Sequence, residues 1–144
     1  MRFWDSSALV PLLVEEAASE AAMAELERDP GIVARWATGI ECVPALARLE
    51  REGSLSTHAM TAALGRRGAL ANAWQEVQPV AVVRQTAIRL LGVHPLRTAD
   101  ALELAAAIVA AEDHPATLPL VSLDDRLAQA ADREGFAVVR PDGI

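Results

Sequence analysis

Short apolar runs bounded by turn residues alternate along the chain with longer segments in which apolar positions recur at three- and four-residue spacing. Arg2 to Asp5 reads as a first strand, after which Ser6 and Ser7 can cap a helix carrying Leu9, Leu12 and Leu13 on one face. A second helix runs past Glu15 and Glu16 to about Arg28, and Asp29-Pro30-Gly31 marks a turn. Ile32 to Trp36 has the β-branched and aromatic content of a strand. A helix opening at Thr38 or Gly39 and stopped by Gly53 places Glu41 in its first turn. Ser54 to Thr57 cap a successor that runs to about Glu76 and pairs with it as a helical hairpin. Val80 to Val83 predicts a third strand, Gln85 to Leu91 a helix and Gly92 to Leu96 a loop. Thr98 is expected to cap a helix reaching about Glu112, with Asp100 in its first turn. Leu118 to Ser122 reads as a buried strand, Asp125 to Glu134 as a helix ended by Gly135, and Phe136 to Arg140 as a last strand before Pro141.

Strands alternating with helices predict an α/β fold with a parallel sheet, covered on both faces through right-handed crossovers. At 144 residues the chain has the size of one domain, taken here as 1–144, with no internal repeat or linker. An apolar fraction of 52% against 23% charged residues fits a globular protein and argues against disorder.

Composition then removes whole classes of chemistry. Lysine is absent, so all 13 basic residues are arginine, which excludes Schiff-base chemistry and a phosphate-loop lysine. His58, His94 and His114 fall in no metal-ligand or triad spacing and read as surface or loop residues. The single cysteine, Cys42, allows no internal disulfide and reads as a small buried helix residue. Asp5 interrupts the amino-terminal apolar run, and no stretch is long and apolar enough for a bilayer, so a cytoplasmic protein with no membrane association is expected. A net charge of -7 argues against a protein that simply coats nucleic acid.

What remains is a set of acids at strand-to-helix junctions: Asp5, Glu41, Asp100 and Asp124. Asp5 and Asp124 follow strands directly, and Glu41 and Asp100 open helices. In open α/β sheets such positions meet in the crevice at the carboxyl ends of the strands. Two unit negative charges about 4 Å apart repel by roughly 4 kcal/mol at an effective dielectric near 20, and a divalent cation reverses that sign. Carboxylates alone suit a hard cation, Mg²⁺ with Mn²⁺ as a substitute, and metal-assisted phosphodiester hydrolysis needs no protein nucleophile. Taken singly, acids in first helical turns are commonly dipole stabilisers. Ser122 and Asp125 stand at capping-box spacing, which leaves Asp124 as the better site candidate. Glu103 lies one turn beyond Asp100 on the same helical face, where it can join the pocket, although a solvated or supporting role is the commoner one.

Four stretches carrying these acids resemble the PIN-domain ribonucleases, and among them the VapC-like toxins of type II toxin-antitoxin pairs. They are Phe3-Trp4-Asp5-Ser6-Ser7-Ala8-Leu9-Val10, Glu41 within Ala37-Thr38-Gly39-Ile40-Glu41, Leu96-Arg97-Thr98-Ala99-Asp100-Ala101-Leu102, and Val121-Ser122-Leu123-Asp124-Asp125-Arg126-Leu127-Ala128. The resemblance covers the chain in order and length. It implies a three-layer PIN-like sandwich around a parallel five-stranded sheet in the order 3-2-1-4-5. It also implies a catalytic set of Asp5, Glu41, Asp100 and Asp124, with metal held by Asp5, Asp100 and Asp124 and by Glu41 directly or through water. Ser6 and Ser122 would be supporting polar groups. Family members often carry a histidine where this chain has Glu103.

The implied function is a Mg²⁺-dependent endoribonuclease acting as a toxin, with RNA as substrate and a cognate antitoxin protein as partner. Arg48, Arg51, Arg66 and Arg67 near the helical hairpin are candidates for phosphate contact, and equally for solvated helix charges. The hairpin with Trp36 and Trp74 suits an antitoxin groove or a homodimer face, and core packing explains the tryptophans as well. A homodimer is expected. The alternatives are a structure-selective DNA nuclease and a non-catalytic PIN-like binding module. A phosphatase or receiver domain is disfavoured by Asp-Ser-Ser after the first strand and by the missing lysine.

Overall fold

The computed structural model describes residues 1–142. The elements run β1 (Arg2–Trp4), α1 (Ser6–Leu13), α2 (Ser19–Arg28), β2 (Ile32–Arg35), α3 (Thr38–Arg51), α4 (Thr57–Ala73), β3 (Gln75–Val77), α5 (Ala81–Val93), α6 (Thr98–Ala110), β4 (Leu120–Val121), α7 (Asp125–Arg133) and β5 (Val138–Val139). The sheet is five-stranded in the order β3-β2-β1-β4-β5, and every pair is parallel.

Alternation along the strands divides the interior into two cores. Phe3, Val33 and Leu120 face a layer that includes Val83 and Leu90 of α5, Leu104 of α6 and Leu127 of α7. Trp4, Ile32, Ala34 and Val121 face the opposite layer, with Leu9 and Leu13 of α1, Ala22 of α2, Leu46 of α3 and Ala63 of α4. Runs of alanine in α6, Ala105 to Ala107, are fully buried and let that helix lie close to the sheet. The three-layer, PIN-like α/β architecture expected from the sequence is the one observed.

The third strand is not where the apolar run predicts it. Val80 to Val83 caps and opens α5, which begins four residues earlier than expected, and the strand is Gln75–Val77, where α4 was expected to continue. The reason is position in the sheet: β3 is an edge pairing only with β2, and its Gln75 and Glu76 are exposed. Pro79 breaks the chain just before α5, and of the valine run Val83 alone is buried. Caps also differ from expectation. Asp5, not Ser6 or Ser7, caps α1 by accepting from the Ala8 N–H, and Arg97 holds the cap position before α6, with Thr98 already helical. Gly53 and Gly135 end α3 and α7 with φ of 82° and 99°, as their placement predicts. Among the described residues no helix is long and apolar enough to cross a membrane.

Candidate functional site

β1 and β4 lie side by side at the centre of the sheet and end within reach of each other, so the residues that follow them meet. Asp5 is 4% exposed. Its Oδ1 accepts from Ser7 Oγ at 2.7 Å and from the Ala8 N–H at 3.1 Å, and its Oδ2 accepts from Ser122 Oγ at 2.7 Å. The same hydroxyls bind the β4 loop: Leu123 N–H donates to Ser7 Oγ at 2.9 Å and Asp124 N–H to Ser122 Oγ at 3.0 Å. Asp124 caps α7, its Oδ1 accepting from Leu127 N–H at 2.9 Å. The capping box read for Ser122 and Asp125 is therefore replaced: Ser122 serves Asp5, and Asp125 pairs with Arg140 at 2.7 Å.

From the other side of the crevice, α3 and α6 bring the remaining acids. Asp100, in the first turn of α6, accepts from Arg97 N–H at 3.4 Å through Oδ2. Glu41, in the first turn of α3, takes a hydrogen bond from Nη2 of Arg35. Arg35 Nε also donates to Glu103 Oε2 at 2.9 Å, and Thr38 Oγ1 donates to Glu103 Oε1 at 3.2 Å. Asp5, Ser6, Ser7, Glu41, Asp100, Glu103 and Asp124 line one cavity of about 70 Å³. All four acids singled out in the sequence are brought together. Ser6 lines the cavity, but the serine that holds Asp5 alongside Ser122 is Ser7.

Of the roles open to Glu103, the solvated one is excluded and a place in the pocket is observed: it is 4% exposed and sits in the cavity wall. Arg48, Arg51, Arg66 and Arg67, read either as phosphate contacts or as solvated helix charges, do not line this cavity, and Arg66 donates to the Leu13 carbonyl at 2.7 Å. The arginine that meets the acids is Arg35, which the sequence reading passed over. Its signal was a charged residue closing an otherwise buried strand, at the end where crevices form.

Burial pushes Asp5 up to about 6, against the pull of Ser122, Ser7 and Ala8, and the neighbouring Asp124 charge adds to the rise. Burial likewise lifts Glu103 to about 7, opposed by Arg35 and reinforced by Asp5. Cys42 is buried, as expected, and its thiol is pushed up to about 12 by that burial, which removes it as a nucleophile.

The side-chain donors lining the cavity are all oxygens, five carboxylates and two serine hydroxyls, with no histidine or cysteine sulfur, and this fits a hard divalent cation. Asp100 and Asp124 each spend one oxygen on a backbone N–H and keep the other. As the side chains stand, no three His, Cys, Asp or Glu groups among the described residues close on a single ion, and Glu41 is engaged by Arg35. A larger hollow of about 590 Å³ lies elsewhere, between α1 and α2 beside Arg66, and contains none of the acids. Chemistry, not size, selects the smaller cavity.

No family model matches the chain, and no curated protein matches it. Solved structures do. A toxin-antitoxin complex from Klebsiella pneumoniae is 19% identical with a TM-score of 0.66, over 98% of each chain. FitAcB from Neisseria gonorrhoeae is 18% identical with a TM-score of 0.69 over the whole of both chains. PAE2754 from Pyrobaculum aerophilum is 19% identical with a TM-score of 0.61, over 98% of this chain and 83% of that one. At these identities the likeness is one of fold, extending from end to end of the domain.

Proposed function

We propose that this chain is a divalent-metal-dependent endoribonuclease of the PIN-domain, VapC-like kind, acting as the toxin of a toxin-antitoxin pair. The observation that carries the reading is the convergence of Asp5, Glu41, Asp100 and Asp124, from four separate segments, on one cavity at the carboxyl ends of the strands. In this reading Asp5, Asp100 and Asp124 hold Mg²⁺ or Mn²⁺, and Glu41 joins them directly or through water. The cation, when bound, supplies Lewis-acid polarisation of a phosphate oxygen and acidifies water for attack.

The chain's own residues do the rest. Ser7 and Ser122 fix both oxygens of Asp5, so its carboxylate is aimed without rotamer loss on binding. Capping fixes the Asp5 and Asp124 carboxylates at the amino-termini of α1 and α7, where both face the cavity. The excess of carboxylates repels a phosphodiester until a cation is present, which makes turnover conditional on metal.

The likeness to a toxin-antitoxin complex supports a protein partner. The hollow between α1 and α2, lined by Leu12, Met23 and Ala24 together with Glu20 and Glu27, suits an apolar segment with basic flanks. Of the tryptophans considered for that role, Trp74 is core and Trp36 is exposed, and neither lines this hollow.

Asp5→Asn tests the proposal. The variant is expected to retain its fold by circular dichroism and to lose both Mg²⁺-dependent cleavage of single-stranded RNA and toxicity on induction. Cleavage at the wild-type rate removes Asp5 from the mechanism. Parallel assays on matched single-stranded DNA and flap DNA separate the DNA-nuclease alternative, and Mn²⁺ binding with no cleavage of any RNA favours the binding module.

A further inference from the structure

The acidic cavity carries its own counter-charge. Arg35, the last residue of β2, reaches Glu103 of α6 through Nε at 2.9 Å and Glu41 of α3 through Nη2, with its side chain only 12% exposed. A guanidinium stays charged at any accessible pH and presents its donors as a fixed fork, so one side chain ties two acids from two helices. The bond to Glu103 has a structural explanation, because a carboxylate buried to 5% side-chain exposure needs a partner. The bond to Glu41 does not. Its side chain is 33% exposed, and water can solvate it without help. Glu41 nevertheless spends a carboxylate oxygen on Arg35 while lining the cavity with Asp5, Asp100 and Asp124.

We propose that Arg35 is a positioning residue whose hold on Glu41 is exchanged for a divalent cation: the guanidinium keeps Glu41 and Glu103 in place in the metal-free protein, yields Glu41 on binding and retains Glu103. The inference rests on the metal-dependent reading of the cavity. It makes Arg35 a competitor of the cation, both for the Glu41 oxygen and through its charge.

Titration of purified protein with Mn²⁺ alone, by calorimetry, decides it. Arg35→Gln is expected to bind Mn²⁺ about tenfold more tightly than wild type, since one positive charge beside a divalent ion is gone. Its metal-free melting temperature is expected to fall, with the deficit narrowing at saturating Mn²⁺. Arg35→Lys, which keeps the charge, is expected to restore affinity to within about twofold of wild type. Equal or weaker Mn²⁺ binding by Arg35→Gln overturns the exchange and leaves Arg35 a purely structural residue. If Arg35→Gln does not fold, the same comparison is made between Glu103→Gln and the double variant Arg35→Gln/Glu103→Gln, in which no buried acid is left unpaired. Absence of Mn²⁺ binding by wild type overturns the metal-dependent reading itself, and the exchange with it.

Discussion

Ser122 Oγ donates to Asp5 Oδ2 at 2.7 Å and accepts from the Asp124 N–H at 3.0 Å, so one fully buried hydroxyl couples the acids that follow β1 and β4. Removing it leaves Asp5 with two donors in place of three. Ser122→Ala is expected to cost about 1 kcal/mol of stability, by thermal melting, and to raise the Asp5 pKa further. The pH at which Mn²⁺ binding is half-maximal then moves upward. An unchanged pH profile would show that Asp5 does not govern cation binding.

The pH dependence of stability has a sign fixed by the buried acids. Asp5 rises from an ordinary 3.8 to about 6, and Glu103 from 4.5 to about 7, so the folded protein holds protons the unfolded chain has released. The associated stability is fully present below the ordinary carboxylate range and is lost as pH rises through about 6 and 7. For Asp5 a shift of about two units corresponds to roughly 3 kcal/mol. Glu134 works in the opposite sense: Arg89 holds it below the usual range, and its contribution is lost as pH falls. Metal-free protein is therefore expected to melt highest near pH 5 and progressively lower towards pH 8, while saturating Mn²⁺ flattens the decline. A melting temperature that climbs steadily from pH 5 to 8 without metal contradicts both shifts.

A second ionic group, Glu134 with Arg89 and His94, provides a control away from the cavity. Glu134, just past α7, accepts from Arg89 Nη2 at 2.8 Å and lies 2.7 Å from His94 Nε2, whose side chain is 4% exposed. Glu134→Gln is expected to destabilise the fold by about 1–3 kcal/mol, because the partners of a nearly buried histidine are disturbed. Mn²⁺ affinity should stay within about twofold of wild type. A large change in affinity would mean that the α5–α6 connection transmits to Asp100.

The fold and the four acids were legible because each rests on a local rule. Asp5 and Asp124 follow central strands of apolar residues, and Glu41 and Asp100 open helices, so topology alone brings them to one edge. The third strand was misplaced because an edge strand with one neighbour needs no apolar sequence. Gln75 and Glu76 carried no strand signal, whereas Val80 to Val83 carried a false one. Arg35 was passed over and the burial of Glu103 missed for a different reason. They stand 68 residues apart, and each becomes intelligible only once the other is placed beside it. Spacing along one helix showed Glu103 beside Asp100 but could not show the guanidinium that makes its burial tolerable.

Asp124 has two roles that substitutions can separate. Its Oδ1 caps α7, and its charge faces the cavity with Asp5. Asn is as good a cap as Asp, so Asp124→Asn keeps the hydrogen bond to Leu127 N–H and loses only the charge. Metal-free stability is then expected to match or exceed wild type, since repulsion with Asp5 is relieved, while Mn²⁺ affinity falls at least tenfold. Asp124→Ala loses both and is expected to cost about 1 kcal/mol more by thermal melting, with a similar loss of affinity. If Asn preserves Mn²⁺ binding and Ala abolishes it, the carboxylate acts only by ordering the start of α7, and the cation is held by Asp5, Asp100 and Glu41 without it.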